Sequence, residues 1–156
     1  MSESMQGLKR SCLAAEVGTA DIGRELTVMG WCHRQRDLGG VIFITLRDRS
    51  GELQLLVNDS CPEAVQAKAA RVRSEFVVAA RGTLRRRESP NPNMPTGAVE
   101  LLVDELRILA ESRTPPFYIE AGSDARESLR LEYRYLDLRR PDLNHALQVR
   151  HQVTQV

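Results

Sequence analysis

The sequence predicts an all-β fold with one helix: a five-stranded Greek-key barrel whose helix lies between strands three and four, followed by a linker and a helical hinge segment. Three observations predict it. Three apolar runs with period-two alternation are joined by short turns early in the chain. A segment with helical spacing comes next, and two further apolar runs follow it. At 156 residues the chain has room for one such domain and an appendage.

The first three strands form a meander. Residues 1–9 are polar and are expected to fray. Gly30 lies within strand one, where a barrel strand bends or bulges. Glycine, aspartate and serine provide the two turns between these strands. The predicted strands cover residues 25–36, 41–47 and 52–58, with turns at 37–40 and 48–51.

A helix and two more strands complete the barrel. Ser60 and Glu63 have the spacing of a capping box, and Pro62 is tolerated in a first helical turn, so a helix is predicted up to about Arg73. Strand four is predicted over 75–87 and strand five over 98–109, with a loop rich in proline and asparagine between them. Three strands, a helix and two strands is the order of an OB-fold.

The barrel domain is therefore expected to span residues 1–109. Residues 110–122 are predicted to be a linker, because Pro115 and Pro116 oppose both a helix and a central strand. Residues 123–156 are predicted to be a hinge and the first helix of a further domain, with Pro141 at the start of that helix. The helix has an apolar face and no stop signal, so we expect the chain to be the front end of a larger protein.

Composition narrows the function classes. The formal net charge is only +1, yet Lys9 and Lys68 are the only lysines among 22 basic residues. Arginine can pair bidentately and stack on bases. The three cysteines form no CxxC pair, so we expect reduced thiols of a cytoplasmic protein and no zinc site. No P-loop, HExxH or GxSxG motif is present, so no catalytic, metal or cofactor site is expected in this chain. The sequence also indicates no signal peptide and no membrane span.

Side-chain alternation assigns an inner and an outer face to each strand. In strand two, the isoleucines and Leu46 share the core face, which leaves Phe43 on the outer one. The same alternation places Gln54 of strand three and Glu100 of strand five outside. Arginines flank strand two at both ends. The outer face is the one that OB-folds use for oligonucleotides.

These residue types suit single-stranded nucleic acid. Phe43 offers a ring on which a base can stack, worth ~1–3 kcal/mol per base. Gln54 can donate and accept in one plane, whereas Glu100 only accepts and would select a base that presents N–H donors. Arg34 and Arg36 can hold phosphates or pair with a base.

Two alternatives stay open at this point. A non-specific single-strand-binding module would use the same fold and face. A structural module would dock another protein there, since an outward Phe43 alone more often covers an interface, and the near-neutral charge agrees with this. Trp31 is interpreted as a half-buried packing residue, and the three arginines over 85–87 as a solvated or phosphate-near edge.

Two separated motifs carry a family resemblance. The first comprises GW at 30–31, RQRD at 34–37, GGVIFI at 39–44 and LRDR at 46–49. The second is RYLDLRRP at 134–141. With these motifs in this order, residues 8–156 resemble the N-terminal part of bacterial aspartyl-tRNA synthetases, where the first lies in the anticodon-binding domain and the second in the hinge that follows.

The resemblance implies a set of anticodon contacts. In the family, the phenylalanine that matches Phe43 stacks on the middle anticodon base, a uridine. Gln35 departs from the family, which usually has a third basic residue there, and the loop over 89–96 is shorter than in many relatives. The residues so implicated in binding tRNA are Arg34, Arg36, Phe43, Gln54, Asn91 and Glu100.

The resemblance also implies a parent enzyme. That enzyme would be a homodimeric, cytoplasmic aspartate–tRNA ligase that uses ATP and Mg²⁺ and forms an aspartyl-adenylate. Its class II catalytic motifs lie beyond the position of Val156. This chain is therefore expected to bind the anticodon loop of tRNA without being catalytic itself.

Overall fold

The computed structural model describes residues 2–155, in two compact units, one ending at Thr114 and the other beginning at Pro115. Five strands of the first unit close into a barrel in the order β1-β2-β3-β5-β4. A helix, α1, lies between β3 and β4, so the predicted OB-fold is confirmed. The elements are β1 (Glu25–Asp37), β2 (Ile42–Arg47), β3 (Glu52–Val57), α1 (Glu63–Arg71), β4 (Val77–Arg86) and β5 (Val99–Ala110).

The barrel core is built from the inward side chains of the five strands, and the alternation of burial is clearest in β2. In β2, Ile42, Ile44 and Leu46 are buried, as the alternation predicts, and Phe43 is not. Neighbouring strands pair antiparallel except β3 and β5, which meet in a short parallel contact. The largest fully buried side chains include Ile44, Leu46, Leu53, Leu55, Leu84, Leu101 and Leu106.

Glycines serve two purposes in the β1–β2 region. A Cβ on Gly30 would lie 2.4 Å from the carbonyl oxygen of Arg47, so this position allows β1 to approach β2 closely. The β-bulge of β1 lies further along, between Cys32 and Arg34. Gly39 and Gly40 have φ values of 67° and 99°, which L side chains rarely adopt, and they shape the tight β1–β2 turn.

The predicted capping box of α1 is wrong. The helix begins at Glu63, after Pro62, and no side chain caps its start. Ser60 instead belongs to the preceding turn, where its backbone N–H and its hydroxyl both donate to Oδ1 of Asn58. An asparagine two residues earlier offers this local bond, which competes with a helix cap for the same serine.

The expectation that residues 1–9 fray is also wrong for those that the structure describes. The backbone N–H of Glu3 donates to the carbonyl of Ile108 at 2.9 Å, and the carboxylate of Glu3 accepts from the Ile108 N–H at 2.8 Å. Leu8 packs in a small cluster with Met29 and Ala79, with Leu109 at its edge. Residues 3–16, called the N-terminal segment below, are thus held along the outside of the barrel.

Within residues 115–155, the second unit has three helices: α2 (Glu127–Glu132), α3 (Arg134–Asp137) and α4 (Pro141–Thr154). Pro141 occupies the first turn of α4, as predicted. Phe117 and Ile119, from the segment predicted to be a linker, are buried with Leu136 in the core of this unit. Asp137 is fully buried and accepts hydrogen bonds from Arg134 and Arg140.

Candidate nucleic-acid interface

The register of the first three strands builds one continuous outer surface, called the open face below. Arg36 of β1 lies opposite Phe43 of β2, and Arg34 lies opposite Thr45. Across the next strand pair, Thr45 lies opposite Gln54. The open face therefore presents two cross-strand rows, one with an aromatic ring and one with polar side chains, each ending in an arginine.

Exposure on the open face decreases from β1 towards β3. Arg34 and Arg36 are exposed, and Phe43 and Thr45 are partly buried. Phe43 thus remains partly accessible, and Arg36 is its cross-strand neighbour. An aromatic ring beside an exposed arginine can stack a base and hold the adjoining phosphate.

A buried polar network forms the floor of the open face. Gln54 and Glu100 are only 4% and 3% exposed, although both lie on the outer side of their strands. The Nε2 of Gln54 donates to one carboxylate oxygen of Glu100 at 2.7 Å. Arg85 donates to the other oxygen through Nε at 3.0 Å and Nη2 at 2.9 Å. Because a carboxylate only accepts, it fixes which end of the Gln54 amide points towards it.

The sequence reasoning missed Arg85, which was grouped with a solvated arginine edge. A signal was available: Leu84 has the apolar character of an inner residue, so its neighbour Arg85 falls on the outer side of β4. The register of β4 and β5 then places Arg85 directly opposite Glu100. Its partly buried guanidinium joins the floor of the open face instead of standing free in solvent.

The structure brings five of the six predicted residues together on the open face and its floor; Asn91 lies in the β4–β5 loop. The Asn91 side chain is occupied in a local turn, because its Oδ1 accepts from the backbone N–H of Asn93 at 3.0 Å. The loop is closed by the bond from the Asn91 N–H to the Gly97 carbonyl. Thr96 fastens it to β3, with its hydroxyl donating to the carbonyl of Glu52 at 2.6 Å.

The part of the chain that the structure describes was also compared with the requirements of a metal centre and of a membrane-spanning helix. Across residues 2–155, no group of three or more His, Cys, Asp or Glu side chains is arranged to hold a metal ion. Within the same residues, no helix has both the length and the apolar character required to span a bilayer.

Comparison with a family model agrees with the barrel and its surface. Residues 26–109 match the tRNA anti-codon family, described as an OB-fold nucleic acid binding domain. The matched range begins in β1 and ends in β5, so it includes the open face and its floor.

Curated relatives match along almost the entire chain. The aspartate–tRNA ligase of Clostridium perfringens is 51% identical over 154 residues, which cover 99% of this chain and 26% of that protein. The aspartate–tRNA ligase of Clostridium acetobutylicum is 49% identical over 156 residues, again 26% of its length. The chain thus spans about a quarter of the length of these relatives.

A solved structure extends the likeness to three dimensions. The asparaginyl-tRNA synthetase of Pyrococcus horikoshii, complexed with asparaginyl-adenylate, superposes with a TM-score of 0.78 at 26% identity. The superposition covers 95% of this chain and 33% of that one.

Proposed function

Because this chain belongs to the family of OB-fold nucleic acid binding domains, we propose that it recognises the anticodon loop of an aspartate tRNA as part of an aspartate–tRNA ligase. The barrel is the anticodon-binding domain in this proposal, spanning residues 1–109, with a linker over 110–122 and a hinge with the first catalytic-domain helix over 123–156. The identity of about 50% to aspartate–tRNA ligases supports the choice of enzyme.

One observation carries the binding proposal: Phe43 is partly exposed on the open face with Arg36 directly opposite it. In this proposal Phe43 stacks on an anticodon base, and Arg34 and Arg36 hold the phosphates or base edges beside it. Gln54, held by Glu100, reads the stacked base, and Asn91 contacts a neighbouring nucleotide from its loop. Arg85 joins these six as a further candidate.

The chemistry of the ligase lies outside this chain in the proposal. Among the described residues, no group of three or more His, Cys, Asp or Glu side chains is arranged to hold a metal ion. No catalytic step is therefore assigned to them. The names of the relatives support an aspartate–tRNA ligase as the parent enzyme. Its use of ATP and Mg²⁺, its homodimeric state and its cytoplasmic location belong to the same proposal as what the family resemblance implies.

The test is binding of a fluorescently labelled anticodon stem–loop of aspartate tRNA, measured by anisotropy. Replacement of Phe43 by Ala is expected to weaken binding by about 1–3 kcal/mol, or about 5- to 150-fold, because the stacking platform is lost. Thermal unfolding should change little, since the ring is only partly buried. Tyr118→Ala is the matched control, because it removes a 75% exposed aromatic side chain outside the barrel and should leave binding unchanged.

A stem–loop with a scrambled loop sequence separates the proposal from its alternatives. The proposal requires weaker binding of the scrambled loop than of the aspartate loop. Equal affinity for both would instead identify a non-specific single-strand binder, with the steep salt dependence of phosphate contacts. No binding of either would favour a surface that docks protein.

A further inference from the structure

The open face owes its arginines to a single irregularity in β1. Trp31 pairs with Arg47 and Cys32 with Leu46, but the next pair is Arg34 with Thr45. His33 is thus an extra residue, a β-bulge that shifts the alternation of β1 by one position. Cys32 is fully buried in the barrel core. Without the bulge, Arg34 and Arg36 would lie on the same inner face of β1 as Cys32. The bulge places them outside, opposite Thr45 and Phe43.

A buried ion pair between Arg47 of β2 and Glu75 lies next to this bulge. Nη2 of Arg47 donates to Oε1 of Glu75 at 2.7 Å, and Nη1 of the same guanidinium lies 3.0 Å from Nδ1 of His33. Because arginine only donates, Nδ1 of His33 is the acceptor and carries no proton in this arrangement. The side chains of Arg47 and Glu75 are only 12% and 6% exposed.

Backbone hydrogen bonds with Glu75 and Phe76, which precede β4, also hold the bulge in place. The N–H of Glu75 donates to the carbonyl of Cys32 at 2.6 Å, and the N–H of Cys32 donates to the carbonyl of Phe76 at 2.8 Å. Glu75 has a φ of 66°, a left-handed conformation that is uncommon for a residue other than glycine. Such a conformation persists where its surroundings require it, and here the N–H of Glu75 reaches the carbonyl of Cys32 while its carboxylate reaches Arg47.

We propose that Arg47 and Glu75 are positioning residues for nucleic-acid binding: they fix the bulge at His33 and thereby bring Arg34 and Arg36 to the open face, without contacting the nucleic acid. This inference rests on the proposed function of the open face. It adds two residues that no binding contact would reveal, since their charges are directed to each other and to the bulge.

The decisive variant is Glu75→Asn. Asparagine tolerates a left-handed φ, so the turn is retained, but its side chain is shorter and neutral and no longer reaches Arg47 as Glu75 does. Binding of the anticodon stem–loop is expected to weaken about tenfold. The loss should vanish when Glu75→Asn is added to the double variant Arg34→Ala/Arg36→Ala, and should persist when it is added to Phe43→Ala. Removal of a negative charge would by itself strengthen binding to RNA, so a loss cannot come from net charge.

Glu105→Asn is the matched control, because it deletes the same charge from a pair with Arg81 and Arg107 elsewhere on the barrel and should not weaken binding. Backbone NMR of Cys32–Arg36 supplies a readout independent of RNA, in which the cross-strand contact between Arg34 and Thr45 should be lost or averaged in Glu75→Asn. If Glu75→Asn fails to fold, Arg47→Met replaces it, since methionine keeps an apolar stem and loses the guanidinium.

Three results would overturn the inference: an unchanged Arg34–Thr45 contact in the variant, wild-type affinity in a folded Glu75→Asn protein, or an equal loss in the background that lacks both arginines. The proposed function would survive these results as long as the arginine variant itself binds weakly. If the wild-type protein does not bind the stem–loop, both proposals are wrong.

Discussion

The barrel has two outer surfaces that differ in what lies over them. On the β1–β4–β5 side, the outward residues Met29 and Ala79 are covered by Leu8 of the N-terminal segment, and all three are buried. On the β1–β2–β3 side, the outward residues include Phe43 and the exposed Arg34 and Arg36. These three residues are not part of the cluster that Leu8 forms with Met29 and Ala79. The same strand, β1, contributes to both surfaces.

This difference shows how an outward aromatic residue can be interpreted. Where outward side chains are small or aliphatic, the chain covers them with its own residues and gains stability from their burial. Phe43, with arginine as its cross-strand neighbour, is left partly accessible, and a surface of that character is available to a ligand. The covered surface is thus expected to govern stability, and the open face to govern binding.

The largest effect that tests this division is expected from Leu8→Ala. Leu8 is only 9% exposed, so its truncation should leave a cavity and destabilise the barrel by about 2–5 kcal/mol. Urea unfolding followed by the fluorescence of Trp31, the single tryptophan of the chain, reports on β1 directly. Affinity for the anticodon stem–loop should not change.

Leu131→Ala is the control for this experiment, because Leu131 is 60% exposed and lies in the second unit. Its effect on the same transition should stay within about 0.5 kcal/mol. A cost of less than about 1 kcal/mol for Leu8→Ala would show that the N-terminal segment merely lies on the surface without stabilising it.

A smaller effect, on both stability and binding, is expected from a change in the buried floor of the open face. Glu100→Gln keeps the shape of the side chain but removes the charge that pairs with Arg85. Its amide also turns an N–H₂ group towards Gln54 or towards Arg85, which both donate in the native network, so that Arg85 loses a partner or the Gln54 amide must turn over to accept. Stability should fall by about 1–3 kcal/mol, nearer the lower value because Arg85 is 34% exposed, and stem–loop binding should weaken as well.

Glu105→Gln provides the comparison for that loss, since its partners Arg81 and Arg107 lie outside the open face. A partly exposed ion pair of this kind is worth roughly 0–1 kcal/mol, and binding should not respond. If Glu100→Gln altered stability alone, the floor would support the barrel and have no part in binding.

Local pattern was sufficient for the barrel and for most of the open face. Period-two alternation alone identified Phe43 as an outward residue, and the order of strands and helix gave the OB-fold. The position of Arg34 and Arg36 depends on the bulge at His33, which is held by Arg47 and Glu75, residues distant in sequence. The ordering of Glu3 likewise depends on Ile108 and Lys68, and no local pattern contains either partner.

The smallest expected effect concerns how the N-terminal segment is tied down. Burial alone would raise the pKa of Glu3, but hydrogen bonds from Lys68 and from the backbone N–H of Ile108 outweigh it, so this pKa lies below its ordinary value. A carboxyl group with a lowered pKa stabilises the fold above its ordinary pKa, and this contribution is lost as the pH falls through the lowered value.

Glu3 and Lys68 are each about one-third exposed, which limits the contribution to roughly 1 kcal/mol or less. The difference in unfolding free energy between the wild type and Glu3→Gln should therefore shrink towards zero between pH 7 and pH 3. A difference that stays constant over this range would mean that the ion pair of Glu3 with Lys68 of α1 does not stabilise the attachment of the segment.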